Sequence, residues 1–346
     1  MREKQMKRKI AVLGAGSWGT VLAKVLADNG HQVELWARRE ELAAEITLKH
    51  TNEKYLPGIK LPAELTATSS LAEALSGKEV VVFVVPSHSM REIAREVGGL
   101  IAPGALVVHA VKGFEIDTWK RMSEVLLEEL GESFAERITV LSGPSHAEEV
   151  IKKCPTTVVV ASPGQETAEQ VQMMFMNRYF RVYTNPDVIG VEVGGALKNI
   201  IALASGLVDG LGFGDNAKAA LMTRGLAEIA RLGSAMGAKP ITFVGLAGVG
   251  DLVVTCTSRH SRNWRAGHKI SQGKKLPEVL AEMGMVVEGI KTTKAAHALA
   301  RRYDVEMPIA AQLYEVLFAG KEPALAVKEL MGRGRTKELE EIVQGW

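Results

Sequence analysis

The sequence is poor in cysteine, since only Cys154 and Cys256 occur among its 346 residues. This excludes a disulfide framework and a thiolate-rich metal site, and a reducing compartment is the simplest interpretation. The chain also lacks an excess of charge of one sign, because 42 Lys and Arg stand against 40 Asp and Glu. A nucleic-acid coat or a polybasic membrane protein would be far more one-sided, so we expect no nucleic-acid partner.

Long uninterrupted apolar runs are missing as well. No stretch approaches the ~18 consecutive apolar residues that span a bilayer, so no stable membrane insertion is expected. The N-terminus imitates a secretory signal, because basic residues 1–9 precede the apolar stretch 10–27. Lys24 interrupts that stretch, however, and cleavage after Ala27 would remove a glycine-rich motif. We therefore interpret the segment as mature sequence and predict a cytoplasmic location.

The first half of the chain alternates short apolar runs with amphipathic segments, the pattern of parallel βαβ units. Residues 80–85 (VVVFVV) are apolar on both faces, which suits a central strand covered by helices on each side. The predicted strands are 9–13, 32–36, 79–85, 105–111, 138–141, 156–161 and 179–182. The predicted helices between them include 17–29, 90–97 and 120–130.

After residue 183 strand-like runs become scarce and long helical segments take their place. The predicted helices are 188–211, 218–236, 291–302 and 309–318, and the predicted irregular segments are 206–214 and 255–273. The length allows two domains of ordinary size. We predict an α/β fold in which a doubly wound sheet domain (residues 1–184) precedes an all-α C-terminal domain (residues 185–346).

Residues 14–19 (GAGSWG) follow the first predicted strand directly and open a helix, which is the context that a G-x-G-x-x-G motif requires. Gly14 permits the tight turn, Gly16 lets a pyrophosphate approach the backbone, and Gly19 lets the helix pack closely on the strand. The helix N-terminus then offers free N–H groups to the phosphates. A tight turn that binds nothing is the alternative. The context favours dinucleotide binding and therefore a Rossmann-type first domain.

The end of the second predicted strand bears on which dinucleotide is bound. An NAD enzyme usually places Asp or Glu there, to hold the ribose 2′-hydroxyl. This chain has Arg38 and Arg39 instead, with Glu34 still inside the strand. Two planar guanidinium groups suit a 2′-phosphate, and a solvated pair at a helix start is the alternative. NADPH is therefore favoured, and NAD stays open.

Lys198 is the most unusual residue of the predicted helix 188–208, whose faces are nearly all apolar or small. A helix of this kind is normally buried, and lysine is rarely buried without a reason. Burial would lower its pKa from ~10.4 and prepare the amine for proton transfer near neutrality. A lysine whose amine reaches water at the edge of the helix is an alternative of equal weight.

Polar residues also follow several predicted strands, where open parallel sheets bind their ligands. Among them, His88 and His146 are acid–base candidates by their ordinary pKa, and capping or solvated histidines are the alternative. Further along, residues 259–275 contain six Lys or Arg and no acid, which suits a small phosphate unless the segment is merely a solvated loop. Metal-ligand spacing appears nowhere, so no metal is predicted.

Five segments, in this order, resemble the bacterial NAD(P)-dependent glycerol-3-phosphate dehydrogenases. They are 14–19, 141–147 (LSGPSHA), 192–199 (EVGGALKN), 248–252 (GVGDL) and 261–263 (SRN). The match spans nearly the whole chain, and residues 1–7 are an extension without a counterpart. The resemblance implies interconversion of dihydroxyacetone phosphate and sn-glycerol 3-phosphate for phospholipid synthesis, by a homodimer.

The resemblance also implies roles for single residues. Lys198 would be the general acid/base, which leaves His88 and His146 as bystanders. The residues predicted to bind substrate are Lys112, Gly143, Ser145, Asp251, Ser261, Arg262 and Asn263. With the glycine motif and the arginine pair included, the residues predicted to bind cofactor are Gly14, Gly16, Ser17, Trp18, Gly19, Arg38, Arg39, Lys112, Ala147, Arg262, Val286 and Glu288.

Two other functions stay open at this point. A related hydroxyacid or sugar-acid dehydrogenase would share the fold and a lysine in such a helix, and it would need a carboxylate pocket. A non-catalytic NADP-binding regulator would bind the cofactor without turnover, and it would leave the pattern of Lys198 and Asp251 unexplained.

Overall fold

The structure is a computed structural model that describes residues 7–284 and 286–334, so most of the N-terminal extension lies outside the described residues. Contacts divide the chain into two compact units. The first consists of Met1–Val111 and Lys120–Val188, and the second of Lys112–Trp119 and Ile189–Trp346. The domain boundary near residue 185 stays a prediction.

The first unit contains an eight-stranded sheet in the order β3-β2-β1-β4-β5-β6-β7-β8. The strands are β1 Lys9–Leu13, β2 Gln32–Trp36, β3 Thr66–Thr68, β4 Val80–Phe83, β5 Leu106–His109, β6 Ile138–Ser142, β7 Thr156–Ala161 and β8 Phe180–Asn185. The helices are α1 Ser17–Asp28, α2 Glu40–Ala44, α3 Leu71–Leu75, α4 Met90–Val97, α5 Met122–Leu130, α6 Ala147–Val150 and α7 Gln165–Phe175. The order 3-2-1-4-5-6 is that of doubly wound dinucleotide-binding sheets, so the predicted fold class is confirmed.

Burial on both faces explains why the strands are continuous apolar runs. Val80 and Val82 of β4 belong to one hydrophobic cluster, and Val81 and Phe83 belong to another. Because side chains alternate along a strand, the two clusters lie on opposite faces of the sheet. All seven predicted strands are present, with small shifts at their ends. The edge strand β3 was not predicted, since it has three residues and two of them are threonines.

The last two strands, β7 and β8, run against the other six. Val140 of β6 pairs with Ala161 of β7 in antiparallel register, whereas the other neighbours in the sheet are parallel. The alternation of strands and helices predicted only parallel βαβ units. The short connection between β6 and β7 contains α6 alone, and an antiparallel neighbour needs no long crossover.

In the described part of the second unit, the regular elements after Ile189 are all helices, whereas Lys112–Trp119 is irregular chain. Its helices are α8 Val188–Gly210, α9 Asp215–Ala235, α10 Asp251–Thr257, α11 Arg262–Ser271, α12 Leu276–Met283, α13 Glu288–Arg302, α14 Pro308–Phe318 and α15 Pro323–Met331. By length and composition α8 could cross a membrane, but 89% of its most apolar stretch is buried inside the protein. It is therefore the core helix of this unit.

The two segments predicted as irregular chain are largely helical. The prediction for 255–273 is wrong, because this segment contains the end of α10 and all of α11. The prediction for 206–214 fails up to Gly210, where α8 ends. The glycines of these segments indicated loops, but they serve helix packing instead. A Cβ on Gly206 would lie 2.0 Å from the Trp264 carbonyl oxygen, and one on Gly267 would lie 1.9 Å from that of Leu203. Here glycine allows helices α8 and α11 to touch through their backbones.

This contact yields a test of the packing. Gly267→Ala should destabilise the protein by about 1–3 kcal/mol, because its Cβ meets backbone that has no flexible end to move aside. Thermal unfolding should show a midpoint several degrees lower. Gly214→Ala is the matched control, since a Cβ there has no neighbour within 4 Å. Equal midpoints for the two variants would contradict the proposed backbone contact.

Candidate active site

Two lysine side chains of the second unit, those of Lys198 and Lys112, contact the carboxylate of Asp251. The Lys198 Nζ lies 2.7 Å from Asp251 Oδ1, and the Lys112 Nζ lies 2.6 Å from Oδ2. Lys198 also donates a hydrogen bond of 2.6 Å to Thr255 Oγ1, whose hydroxyl donates in turn to the Asp251 carbonyl at 2.6 Å. The side chains of Asp251 and Lys198 are only 1% and 7% exposed, and that of Lys112 is 20% exposed. We call these four residues the Lys198 cluster.

The burial of Lys198 decides between the two interpretations of this residue. The amine does not reach water at the helix edge, as the alternative required, but lies among buried groups. Burial lowers the pKa of Lys198 to about 8, and the positive charge of Lys112 acts in the same direction while Asp251 opposes it. Burial alone would raise the pKa of Asp251, but the two lysines outweigh that effect and hold it below its ordinary value. The cluster therefore contains an amine that can gain or lose a proton near neutrality.

Local sequence explains how the cluster comes together. Asp251 is the first residue of α10, which continues the π-helical turn Leu246–Gly250, and Thr255 lies one turn later on the same face. A Cβ on Gly194 of α8 would lie 2.7 Å from the Ala247 carbonyl oxygen, so glycine lets the chain before α10 approach closely. Thr255 was missed from the sequence, because its segment was interpreted as irregular.

A second group of predicted residues surrounds the start of α11. Ser261 caps this helix by accepting a hydrogen bond from the Trp264 N–H at 3.2 Å. The exposed Arg262 donates to the Val286 carbonyl oxygen at 3.2 Å. The structure thus brings together Arg262 and Val286, which the sequence predicted to share a ligand.

The buried side chain of Asn263 links three helices. Its Nδ2 donates to Asn199 Oδ1 of α8 at 2.8 Å, and its Oδ1 accepts from the Gly289 N–H of α13 at 2.9 Å. Gly289 directly follows Glu288, so this bond also ties down the start of the helix that carries Glu288. A Cβ on Gly289 would lie 2.6 Å from the Asn199 carbonyl oxygen. Asn199, next to Lys198, is thus a structural partner of Asn263 that had no assigned role.

The basic segment 259–275 is partly neutralised by its neighbour. Lys269 and Lys274 both pair with Glu282 of α12 on the exposed surface. Their charges are therefore shared with that carboxylate. The segment 259–275 is therefore neither a fully solvated loop nor a uniformly basic one.

The glycine turn of the first unit fits a dinucleotide pyrophosphate. Gly14 has a φ of +119°, and a Cβ on Gly19 would lie 1.8 Å from the Gly14 carbonyl oxygen, so both positions require glycine. A Cβ on Gly16 would meet nothing within 4 Å, which leaves open space beside the backbone at that point. Helix α1 begins at Ser17 without a side-chain cap or an acid in its first turn. Its N–H groups and dipole can therefore bind an anion.

The remaining predicted residues of the first unit lie at the ends of its strands. Arg38 and Arg39 are exposed after β2, and Glu34 inside that strand pairs with Lys78 at 2.7 Å. Trp18 packs half-buried against the core.

Gly143, Ser145 and Ala147 follow one another after β6, where Ser145 Oγ donates to the Gly143 carbonyl oxygen at 2.9 Å. Gly143 has a φ of +120°, and Ala147 is the first residue of α6. His146 precedes α6 without a side-chain capping bond and is half-buried, whereas His88 is exposed in a short turn after β4.

Comparison with known proteins gives matches to both units. The family model described as NAD-dependent glycerol-3-phosphate dehydrogenase N-terminus matches residues 9–168, and that of the C-terminus matches residues 187–328. A glycerol-3-phosphate dehydrogenase (NAD(P)+) of Geobacillus kaustophilus is 61% identical over 334 residues, which span 96% of this chain and 97% of the relative. A crystal structure of glycerol-3-phosphate dehydrogenase from Coxiella burnetii has a TM-score of 0.89 and 40% identity, covering 94% of this chain and 99% of that one.

The charge arrangement of the Lys198 cluster can be tested by titration. Asp251→Asn should lower the pKa of Lys198 further below about 8, because the carboxylate that stabilises the ammonium is gone while Lys112 remains. NMR of isotope-labelled lysine side chains would follow this titration. Glu282→Gln, which removes an exposed carboxylate paired with two other lysines, should leave it unchanged. A pKa of Lys198 that does not fall in Asp251→Asn would refute the arrangement.

Proposed function

Because the chain belongs to the NAD-dependent glycerol-3-phosphate dehydrogenase family, we propose that Lys198 exchanges the proton in the reaction of that family. The chain is an oxidoreductase that interconverts dihydroxyacetone phosphate and sn-glycerol 3-phosphate with NAD or NADP. The contact of 2.7 Å between the buried Lys198 amine and Asp251 is the observation that carries the proposal.

In the reducing direction, the Lys198 ammonium donates a proton to the carbonyl oxygen of dihydroxyacetone phosphate. Lys112 helps to offset the negative charge that develops on this oxygen. Asp251 holds both amines, and its low pKa keeps it ionised throughout. In the reverse direction the neutral Lys198 amine accepts the proton from the hydroxyl of glycerol 3-phosphate. The nicotinamide, when bound, supplies or takes up the hydride.

The substrate phosphate is assigned to the start of α11. Arg262 presents a charged fork at the first position of this helix, and Asn263 keeps one N–H beyond its bond to Asn199. The N-terminus of α11, capped by Ser261, adds its dipole. Gly143 and Ser145 are proposed to complete the substrate site.

The dinucleotide is assigned to the glycine turn of the first unit. Gly14, Gly16 and Gly19 give its pyrophosphate access to the backbone, and Ser17, Trp18, Ala147, Lys112, Arg262, Val286 and Glu288 are proposed as further contacts. Arg38 and Arg39 favour NADPH, because Glu34 is engaged by Lys78 and no acid stands at the end of β2 to bind a 2′-hydroxyl. NAD remains the second cofactor of the pair.

The finer assignments rest on the family resemblance. We propose that residues 1–184 bind the dinucleotide and that residues 185–346 bind the substrate and carry Lys198. We also propose a cytoplasmic homodimer that supplies glycerol 3-phosphate for phospholipid synthesis. Loss of NADPH absorbance with dihydroxyacetone phosphate tests the reaction itself. Turnover confined to unphosphorylated hydroxyacids would favour the alternative dehydrogenase, and cofactor binding without turnover would favour a regulator.

The proton-transfer role gives a direct prediction. Lys198→Met should lower kcat by about 10²-fold or more, the usual contribution of a positioned acid or base. Lys294→Met, which removes an exposed lysine on α13, is the matched control and should retain normal turnover. Steady-state kinetics and circular dichroism of both variants supply the measurement. Near-normal turnover by a well-folded Lys198→Met would rule out this assignment.

The arginine pair gives a prediction about cofactor choice. Arg38→Glu should weaken NADPH binding by about tenfold or more, because a charge-assisted contact to the 2′-phosphate is replaced by repulsion. NADH lacks that phosphate and serves as the internal control, with an expected affinity close to that of the unaltered protein. Quenching of protein fluorescence would give both dissociation constants. An unchanged NADPH affinity in Arg38→Glu would contradict the proposed preference for NADPH.

A further inference from the structure

A loop outside the predicted site packs against the glycine turn. Residues 50–61, called here the 50–61 loop, close on themselves through a hydrogen bond of 2.9 Å from the Leu61 N–H to the His50 carbonyl oxygen. Inside the loop the N–H groups of Tyr55 and Leu56 donate to the Asn52 carbonyl oxygen at 3.1 and 2.8 Å. Leu56 and Leu61 are buried in the core. The loop is therefore a fixed element of the first unit.

Asn52 connects this loop to the start of the dinucleotide site. Its side chain is fully buried, and its Nδ2 donates to the Ala15 carbonyl oxygen at 3.1 Å and to Thr20 Oγ1 at 2.8 Å. Ala15 lies between Gly14 and Gly16 of the glycine turn. A second bond, from Ser17 Oγ to the Tyr55 carbonyl oxygen at 3.2 Å, joins the same two elements. The loop is thus hydrogen-bonded to the glycine turn at Ala15 and to the start of α1 at Ser17.

A carboxamide at this buried position carries a cost in the stability of the fold. Its Oδ1 is buried and has no hydrogen-bond partner within the described part of the chain. A buried acceptor without a partner costs stability, and an apolar side chain of similar size would avoid that cost. The two donated bonds, rather than packing alone, are therefore the feature that calls for an explanation.

The planarity of the peptide bond supplies the explanation. In a trans peptide the C=O of one residue and the N–H of the next point in opposite directions. Because Asn52 holds the Ala15 carbonyl on the protein side, the N–H of Gly16 is turned to the other side. Gly16 is the position where a Cβ would meet only open space. The hydrogen bond from Asn52 to the Ala15 carbonyl oxygen thus orients the Gly16 N–H toward the space assigned to the pyrophosphate.

We propose that Asn52 is a positioning residue of the dinucleotide site, which orients the Gly16 N–H toward the pyrophosphate by binding the Ala15 carbonyl oxygen. The inference rests on the proposed assignment of the glycine turn to the dinucleotide. Asn52 itself need not touch the cofactor, since it is fully buried behind the turn. A purely structural role for this side chain is the competing explanation.

Asn52→Leu separates the two explanations. It removes both donated bonds together with the unpartnered oxygen, but it also leaves the Ala15 carbonyl oxygen without this donor, so the free energy of unfolding should fall by about 1–3 kcal/mol. The dissociation constant for NADPH, measured by fluorescence, should rise about tenfold because the donor is no longer held toward the phosphate. The KM for NADPH should rise with it, whereas kcat at saturating NADPH and the KM for dihydroxyacetone phosphate should stay within about twofold. A loss of stability and kcat with unchanged NADPH affinity would overturn the proposal.

Thr20→Val is the matched control. It removes the other acceptor of Asn52 Nδ2 and keeps the bond to Ala15, so NADPH affinity should stay within about twofold of the unaltered protein. A rise equal to that of Asn52→Leu would show that the network as a whole matters and would overturn the specific role of the Ala15 bond. If Asn52→Leu does not fold, Asn52→Ala replaces it in the same measurements.

One measurement needs no variant. In the unaltered protein, saturation with NADP⁺ should slow hydrogen exchange of the Gly16 amide and shift its NMR signal, as expected for a donor bound to phosphate. A Gly16 amide that does not respond while the cofactor binds would overturn the inference and leave the proposed reaction intact. An unaltered protein that binds neither NADP nor NAD, in the oxidised or the reduced form, would overturn both.

Discussion

The pairing of two lysines with one buried carboxylate is the constraint on which the second unit depends. An unpaired charge in this interior would cost several kcal/mol, so Asp251, Lys198 and Lys112 can be buried only together. That requirement explains why Lys112–Trp119 leaves the first unit and belongs to the second by its contacts. Phe114 of this segment is buried in the helical core, and this packing holds the segment that carries Lys112 in the second unit.

Close helix packing is the second requirement, because the charges must be held at fixed distances. Gly194 lets the chain before α10 approach α8, and Gly206 and Gly267 let α8 and α11 touch through their backbones. The Asn263 side chain then ties α11 to α8 and α13. As a result the amine of Lys198 and the start of α11 are parts of one packed assembly, and a substrate bound at one is held in register with the other.

The sequence predicted those features whose physical cause is local. The sheet follows from β-branched runs, and the burial of Lys198 follows from a helix that is apolar on every side. Helix α11 was missed because its glycine and basic residues resemble a loop until the backbone of α8 is placed beside Gly267.

Asn52 carries no local signal at all. Its meaning depends on the Ala15 carbonyl, 37 residues away, and only the folded turn brings the two together. The antiparallel pairing of β7 with β6 and the partnership of Asn199 with Asn263 are hidden for the same reason, since each is a relation between separate segments.

The sharing of Asp251 has an electrostatic consequence for the catalytic cycle. Two ammonium groups against one carboxylate leave a single surplus positive charge in a largely buried cluster, and such a charge attracts an anion from solution. In the proposed reduction Lys198 gives up its proton, so the surplus disappears and the cluster becomes neutral. Under this proposal the product of the reduction faces a weaker attraction than the substrate did, and reprotonation of Lys198 from solvent restores the original charge.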